Sequence, residues 1–338
     1  MSVGLDIGSK TIKIVELKKE GSKWKLRASG IIGYKGKTPE HINNDREYAS
    51  LAEAVKKLHK EAKISSKNVT LSLPETQVFT RTVKFPLLTE SEIASAVKWE
   101  AEQYIPIPIQ EAVVQHQIIE RLEDVTPPQA LVLLVAAPRD LVQRYVKVSH
   151  MAGLTPIALE TDLMALSRSI APQQQTVMIV DFGARSTDIA ITKNGQLSFS
   201  RSIPTAGEAF TRAVAQGLGV ESQQAEEYKK TYGLSGSQLE GKIKGALDPV
   251  FRMVADEMRK AMHFYKTEER GVVPRSVILS GGTAGMPEVV GVLTKFLGLE
   301  VIVGNPFVNI VVDSSVAKTL SGYAPLYSVA VGLAMRSD

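Results

Sequence analysis

The chain has 338 residues, 44% apolar and 22% charged, the make-up of a globular protein too long for one ordinary core. Its 40 basic and 36 acidic side chains leave a formal charge of +4, too mild and dispersed to point to nucleic acid. There is no cysteine, which excludes disulfides, thiolate catalysis and Cys-ligated metal, and the five histidines form no H-x-x-H pair.

From the N-terminus, alternating apolar residues predict strands at 3–7, 11–17 and 24–34, a three-strand meander. The turn "DIGSKT" is not a Walker loop, because Ser9 separates Gly8 from Lys10 and a strand follows where a helix is required. A helix is expected at 50–62, with Leu51, Val55 and Leu58 on one face, then strands in "NVTLSLP" and "QVFTRTVKFP".

The next stretch, "LTESEIASAVKWEAEQY", opens on a helix cap, Thr89 with Glu92 three residues on. Its apolar stripe is read as Ile93, Ala96, Val97 and Trp99, and the prolines of "IPIPI" end it. Two strands, a helix at Arg139–Met151 and "LTPIALE" complete a small α+β module at 84–159, inserted into a first lobe that covers 1–83. A connecting helix follows within 160–175, with Glu160 placed to read as its N-cap.

"VMIVDFGARSTDIAITKNGQLSFSRSIP" then restarts the chain. Asp6-Ile-Gly8-Ser-Lys10 superimposes on Asp181-Phe-Gly183-Ala-Arg185 at an offset of 181 − 6 = 175, and the later turn glycines Gly21 and Gly195 agree to within one residue. Such a repeat implies two lobes facing a cleft. The second lobe is expected as a core at 176–215, helices at 216–267, and a return at 268–338 that carries "ILSGGTAGMP" and "YSVAVGLAM".

Opposed turns rich in small residues present N–H groups to phosphate oxygens, and a carboxylate at the end of each strand suits Mg²⁺ held through its waters. Asp6 and Asp181 are those carboxylates, and Lys10 adds a point charge. Glu226, Lys229 and Lys230 stand at i, i+3 and i+4 of one helix, which on spacing alone is a solvated charged face.

Taken in order, "DIGSKTIK", "DFGARSTDIA", "ILSGGTAGMP" and "YSVAVGLA" resemble the phosphate-one, phosphate-two, adenosine and second connecting motifs of the actin, sugar-kinase and heat-shock chaperone ATPase superfamily. The resemblance implies a duplicated, two-lobed α/β fold that binds ATP or ADP with Mg²⁺. It would place the β- and γ-phosphates on Gly8, Ser9, Lys10 and Thr11 and on Gly183, Ala184, Arg185, Ser186 and Thr187. Glu226 would meet the ribose, Lys229 or Lys230 would flank the adenine, and Gly281 and Gly282 would lie beneath the nucleoside. Glu160 would be the catalytic acid, although relatives often read Glu-Pro where this chain has Glu160-Thr161, and position 285 is Gly where the chaperone branch is basic. Both departures point to weak hydrolysis at most.

The inserted module resembles that of the FtsA-like branch, and "VGLDIGSKTIKIVEL" with "KWEAEQYIPIPIQEAVVQHQII" resembles the PilM family of type IV pilus assembly. The resemblance implies docking of the cytoplasmic N-terminal peptide of PilN. Trp99, Tyr104, Ile105, Ile107 and Ile109 are the groove candidates, and Ile105, Ile107 and Ile109 fit a strand filling the module's own core equally well. It leaves open self-association and contacts with other inner-membrane pilus components or motor ATPases. An FtsA-like filament former in division is the alternative; a sugar kinase lacks its sugar-clamping cluster. No run reaches the ~18 to 20 apolar residues of a spanning helix, and a strand starting at Val3 leaves no room for a signal peptide. The expected place is the cytoplasm, at the inner membrane only through a partner.

Overall fold

The computed structural model describes residues 1–336. The first lobe opens with strands β1 (Ser2–Ile7), β2 (Thr11–Glu20) and β3 (Lys23–Gly33), helix α1 (Asp45–Glu61) and strand β4 (Asn68–Leu73). The inserted module is β5 (Phe79–Pro86), α2 (Glu90–Tyr104), β6 (Ala112–Leu122) and β7 (Gln129–Pro138). The chain returns through α3 (Arg139–Met151), β8 (Thr155–Thr161) and α4 (Asp162–Ile170). The second lobe is β9 (Thr176–Phe182), β10 (Thr187–Lys193), β11 (Gln196–Ile203), α5 (Gly207–Leu218), α6 (Ser222–Tyr232), α7 (Lys242–Thr267), β12 (Ser276–Gly281), α8 (Val289–Leu297) and β13 (Glu300–Val303). β14 (Ile310–Val311), α9 (Ser314–Ser321) and α10 (Ser328–Ala334) close the described chain.

Three sheets result, ordered β14-β3-β2-β1-β4-β8, β11-β10-β9-β12-β13 and β5-β7-β6. The first two are copies of one unit: an antiparallel meander whose first strand then pairs in parallel with a later one, β1 with β4 and β9 with β12. Even the irregularities repeat. The meanders slip register after Glu16 and after Ile191, and 191 − 16 = 175. In the turns, Gly8 N–H donates to Thr11 O at 3.1 Å and Gly183 N–H to Ser186 O at 3.0 Å.

Both central strands are buried on each face, as Val-177 to Val-180 of β9 illustrate, because helices cover the two sides. α4 and α10 cross where the lobes join. Gly332 lets them touch: a Cβ there would stand 1.8 Å from Ala165 O. Gly4 does the same for β1 on α10, where a Cβ would stand 2.1 Å from Ala330 O.

The module is smaller than the expected 84–159. α3 packs on α1 and the first-lobe core through Leu141, Tyr145 and Val148, and β8 pairs with β4. Apolar burial therefore assigns both to the first lobe. Likewise β14 pairs with β3 and α10 packs on β1 and β2, so part of the expected second-lobe return at 268–338 belongs to the first lobe.

Within the module, Thr89 and Glu92 form a reciprocal capping box, satisfying helix-end donors that would otherwise be orphaned. α2 buries Ile93, Val97 and Ala101, at i, i+4 and i+8, against Val83, Phe85, Val132 and Leu134. Trp99 lies off that stripe and is 77% exposed, which corrects the expected apolar face. Val97→Asp would put an unpaired charge into this core and break it.

Candidate functional site

The four-residue turn of the first hairpin fixes its register, so that Asp6 of β1 stands opposite Lys13 of β2. Both are buried in an ion pair, Lys13 Nζ donating to Asp6 Oδ2 at 2.9 Å. Burial alone would lower the Lys13 pKa, but Asp6, with Asp181 and Asp162 beyond, carries it above its ordinary value. Gly8 leaves the approach open; a Cβ there would meet Thr11 O at 3.0 Å and Lys13 Nζ at 3.2 Å. Ser9 and Thr11 are half-buried on the rim, and Lys10 is exposed.

In the second hairpin the same register puts Asp181 opposite Asp188, a second acid where the first copy has Lys13. Ser186 Oγ donates to Asp188 at 2.8 Å and Ser202 Oγ donates to its other oxygen. Burial and the Asp188 charge push Asp181 up to about 7, against the pull of Lys13. Asp162, the first residue of α4, is raised well above its ordinary value by burial and by Asp6, Asp181 and Asp188. Asp6, Asp181 and Asp162 thus act on the Lys13 ammonium and Asp188 faces Asp181, while among the described residues no three acids stand close enough together to ligate a metal ion directly.

The third turn closes on this group. Gly281 has φ +81°, and a Cβ on it would lie 2.4 Å from Phe182 O and 2.6 Å from Asp181 Oδ1. No side chain fits there. Gly282 follows, with Leu326 as its neighbour, and Ser280 Oγ donates to Pro325 O at 3.0 Å.

Several expected contacts are committed elsewhere. Thr187 is buried and its hydroxyl donates to Thr205 O at 2.7 Å, while Ser186 serves Asp188; Gly183 and Ala184 are half-buried and Arg185 is exposed. Lys229 is buried and donates to Gly207 O and Thr211 Oγ1, each at 3.0 Å, and to Glu226 at 2.6 Å. It pins α6 to α5, and burial lowers its pKa. Burial opposes the Glu226 charge, but bonds from Lys229 and Thr211 take it down to about 2. Lys230, 3.2 Å from Glu226, is the exposed one of the pair.

Glu160 is held by arginines. Arg168 grips both its oxygens, at 2.6 and 2.7 Å, and Arg336 lies at 3.5 Å. Arg168 also donates to Gly332 O at 2.8 Å, so this buried carboxylate locks the α4–α10 crossing. The N-cap role falls to Thr161, which accepts from Met164 N–H at 3.2 Å. The acid at the start of α4 that lies near Asp6 and Asp181 is Asp162.

The groove candidates also divide. Ile105 is buried in the module core, with Tyr104, Ile107 and Ile109 packed half-buried around it, and the Arg81 guanidinium lies 4.2 Å over the Tyr104 ring. Trp99 stands apart in solvent on α2.

With this geometry in hand, the chain matches the family described as type IV pilus assembly protein PilM over residues 4–338. The chain belongs to that family. A solved PilM-PilN type IV pilus biogenesis complex superimposes with TM-score 0.84 and 28% identity, covering 99% of this chain and 98% of that one. Beyond the PilM family, the FtsA cell division protein of Pseudomonas aeruginosa is 24% identical over 276 residues, 70% of this chain and 63% of its own length. For FtsA of Bacillus subtilis the identity is 23% over 250 residues, 61% of this chain and 54% of its own length, so the chain spans less than two thirds of either relative. MreB5 of Spiroplasma citri bound to AMPPNP shares the fold, with TM-score 0.54, 15% identity and coverage of 98% of this chain and 93% of that one. The two-lobed actin-like fold expected from the motifs is therefore present.

Lys13, Asp188 and the cleft position of Asp162 escape motif reading. The signal for the first two was the register itself: a hairpin with a four-residue turn sets residue i+7 opposite each aspartate.

Proposed function

We propose that this PilM-family chain is a nucleotide-binding scaffold whose cleft holds the polyphosphate of ATP or ADP with Mg²⁺, and whose inserted module docks the N-terminal segment of PilN. The observation that carries the first half is the pairing of Asp181 with Asp188 across the second hairpin, where the first hairpin pairs Asp6 with Lys13. Acids facing one another across a ladder repel and hold protons more tightly, and a divalent cation would relieve that repulsion. The residues fit that group: Asp6 and Asp181 would hold Mg²⁺ through its waters, with Asp162 and Asp188 beside them.

Gly8, Ser9, Lys10 and Thr11, together with Gly183, Ala184 and Arg185, would receive phosphate oxygens from the two sides, and Lys13 would share its charge with them. Glu226 would meet the ribose, Lys230 would flank the base, and Gly281 and Gly282 would lie below the nucleoside. A metal-bound polyphosphate would supply the positive charge that Asp181 and Asp188 lack and would be held by residues of both lobes. Asp162, placed with Asp6 and Asp181, replaces Glu160 as the residue that would orient a water, with weak hydrolysis at most.

The second half rests on the likeness to the PilM-PilN complex. Trp99, a large apolar side chain 77% exposed on α2, is the anchor it offers a peptide. Among the described residues no helix is long and apolar enough to cross a membrane, so membrane contact through PilN is part of the proposal. Titration of a synthetic PilN N-terminal peptide tests it. Wild type should bind, and Trp99→Ala should bind about tenfold more weakly. Equal affinity would remove Trp99 from the site, and no binding to wild type would end the docking reading.

A further inference from the structure

We infer that Glu208 is an internal counter-anion of the cleft, a carboxylate that holds the cations of both turns and that an incoming polyphosphate must displace. The duplication puts one cation at each turn tip, Lys10 and Arg185, related by 185 − 10 = 175. Both converge on Glu208: Lys10 Nζ lies 3.1 Å and Arg185 Nε 3.9 Å from its Oε1. The carboxylate is delivered there by backbone. Gly207 N–H donates to Gly183 O at 3.2 Å and Glu208 N–H to Ala184 O at 2.8 Å, fixing the start of α5 on the second turn. Gly207 fits because it has no Cβ, which would stand 3.2 Å from Gly183 O. Lys10 therefore reaches from the first lobe to a group mounted on the second.

Accessibility separates this trio from the cleft's other cations. The side chains of Lys13 and Lys229 are 11% and 7% exposed and locked in place, whereas Lys10, Arg185 and Glu208 are 62%, 46% and 32% exposed. Ion pairs this wet are weak and exchange readily. A phosphate, with more charge and a fit to the guanidinium fork, is the better acceptor. Once displaced, Glu208 stands beside the new anion and repels it, so the site favours polyphosphate already charge-reduced by a divalent cation.

This inference rests on the polyphosphate reading above, and two probes keep them apart: Mg·ATP, and inorganic tripolyphosphate with Mg²⁺. In calorimetry at low salt, Glu208→Gln in the full chain should bind tripolyphosphate about fivefold tighter than wild type, and 0.5 M NaCl should shrink the gain. Lys10→Met in the Glu208→Gln background should remove most of it. Tighter tripolyphosphate binding with no response to Mg·ATP in either protein would sustain the counter-anion and sink the nucleotide. Unchanged or weaker tripolyphosphate binding by a folded Glu208→Gln, or no binding by either protein, would overturn the counter-anion.

Discussion

The two hairpins share strand order, turn hydrogen bond and slip of register, yet differ in the charge that faces the strand-end aspartate. In the first, Lys13 neutralises Asp6 from across the ladder; in the second, Asp188 faces Asp181 with no cation of its own. A duplicated backbone has thus been given opposite electrostatic tasks. The first copy is balanced internally, whereas the second pairs two acids, a deficit that on the proposed reading an external cation would fill. Burial first, and the facing Asp188 after it, raise Asp181 to about 7.

The largest expected effect follows from breaking the balanced copy. Lys13→Met leaves Asp6 buried without its partner and should cost about 3–5 kcal/mol in denaturant unfolding, most of it recovered by adding Asp6→Asn. A single Lys13→Met as stable as wild type would erase the contrast between the copies. Next in size, Arg168→Ala strips Glu160 at the α4–α10 crossing and should cost about 3 kcal/mol, while Asp162→Asn should leave stability nearly intact or improve it and weaken Mg²⁺-dependent nucleotide binding. The reverse pattern would return the catalytic assignment to Glu160.

A third test works through pH. Asp181 has a folded value of about 7 against an ordinary 3.8, so between those values the folded chain holds a proton that the unfolded chain has released. Stability from this group is greatest at the acid end of that window and declines as pH rises through it. Asp162 and Asp188 are raised too, and act in the same sense. Asp181→Asn should flatten the decline of Tm between about pH 4 and pH 7, and Asp188→Asn should flatten it less. An unchanged slope in Asp181→Asn would place its proton elsewhere. The smallest effect belongs to the module: Trp99→Ala should change unfolding free energy by less than about 0.5 kcal/mol, because that side chain packs on little.

What was legible beforehand follows from how local each signal is. Asp6, Gly8, Asp181, Gly183 and Gly281 stand out because strand-end acids and tight turns are written in consecutive residues and repeat at a fixed offset. The cap of α2 was legible for the same reason, Thr89 and Glu92 being three apart. Glu160 and Asp162 could not be sorted, because the cations that claim Glu160 come from eight and 176 residues away. Lys229 read as a surface charge because its acceptors, Gly207 O and Thr211, lie on another helix. Trp99 fell off its expected face because the alternative register Ile93, Val97, Ala101 wins on packing, and periodicity over four turns does not separate the two.

The central claim is that the unbalanced second hairpin completes itself with a divalent cation and a polyphosphate. Calorimetric titration of the full chain with ATP, with and without Mg²⁺, in wild type and Asp181→Asn, tests it most directly. The account predicts Mg²⁺-dependent binding by wild type that Asp181→Asn loses while still folded. Nucleotide binding that ignores both the metal and Asp181, or no binding by wild type at all, would contradict it.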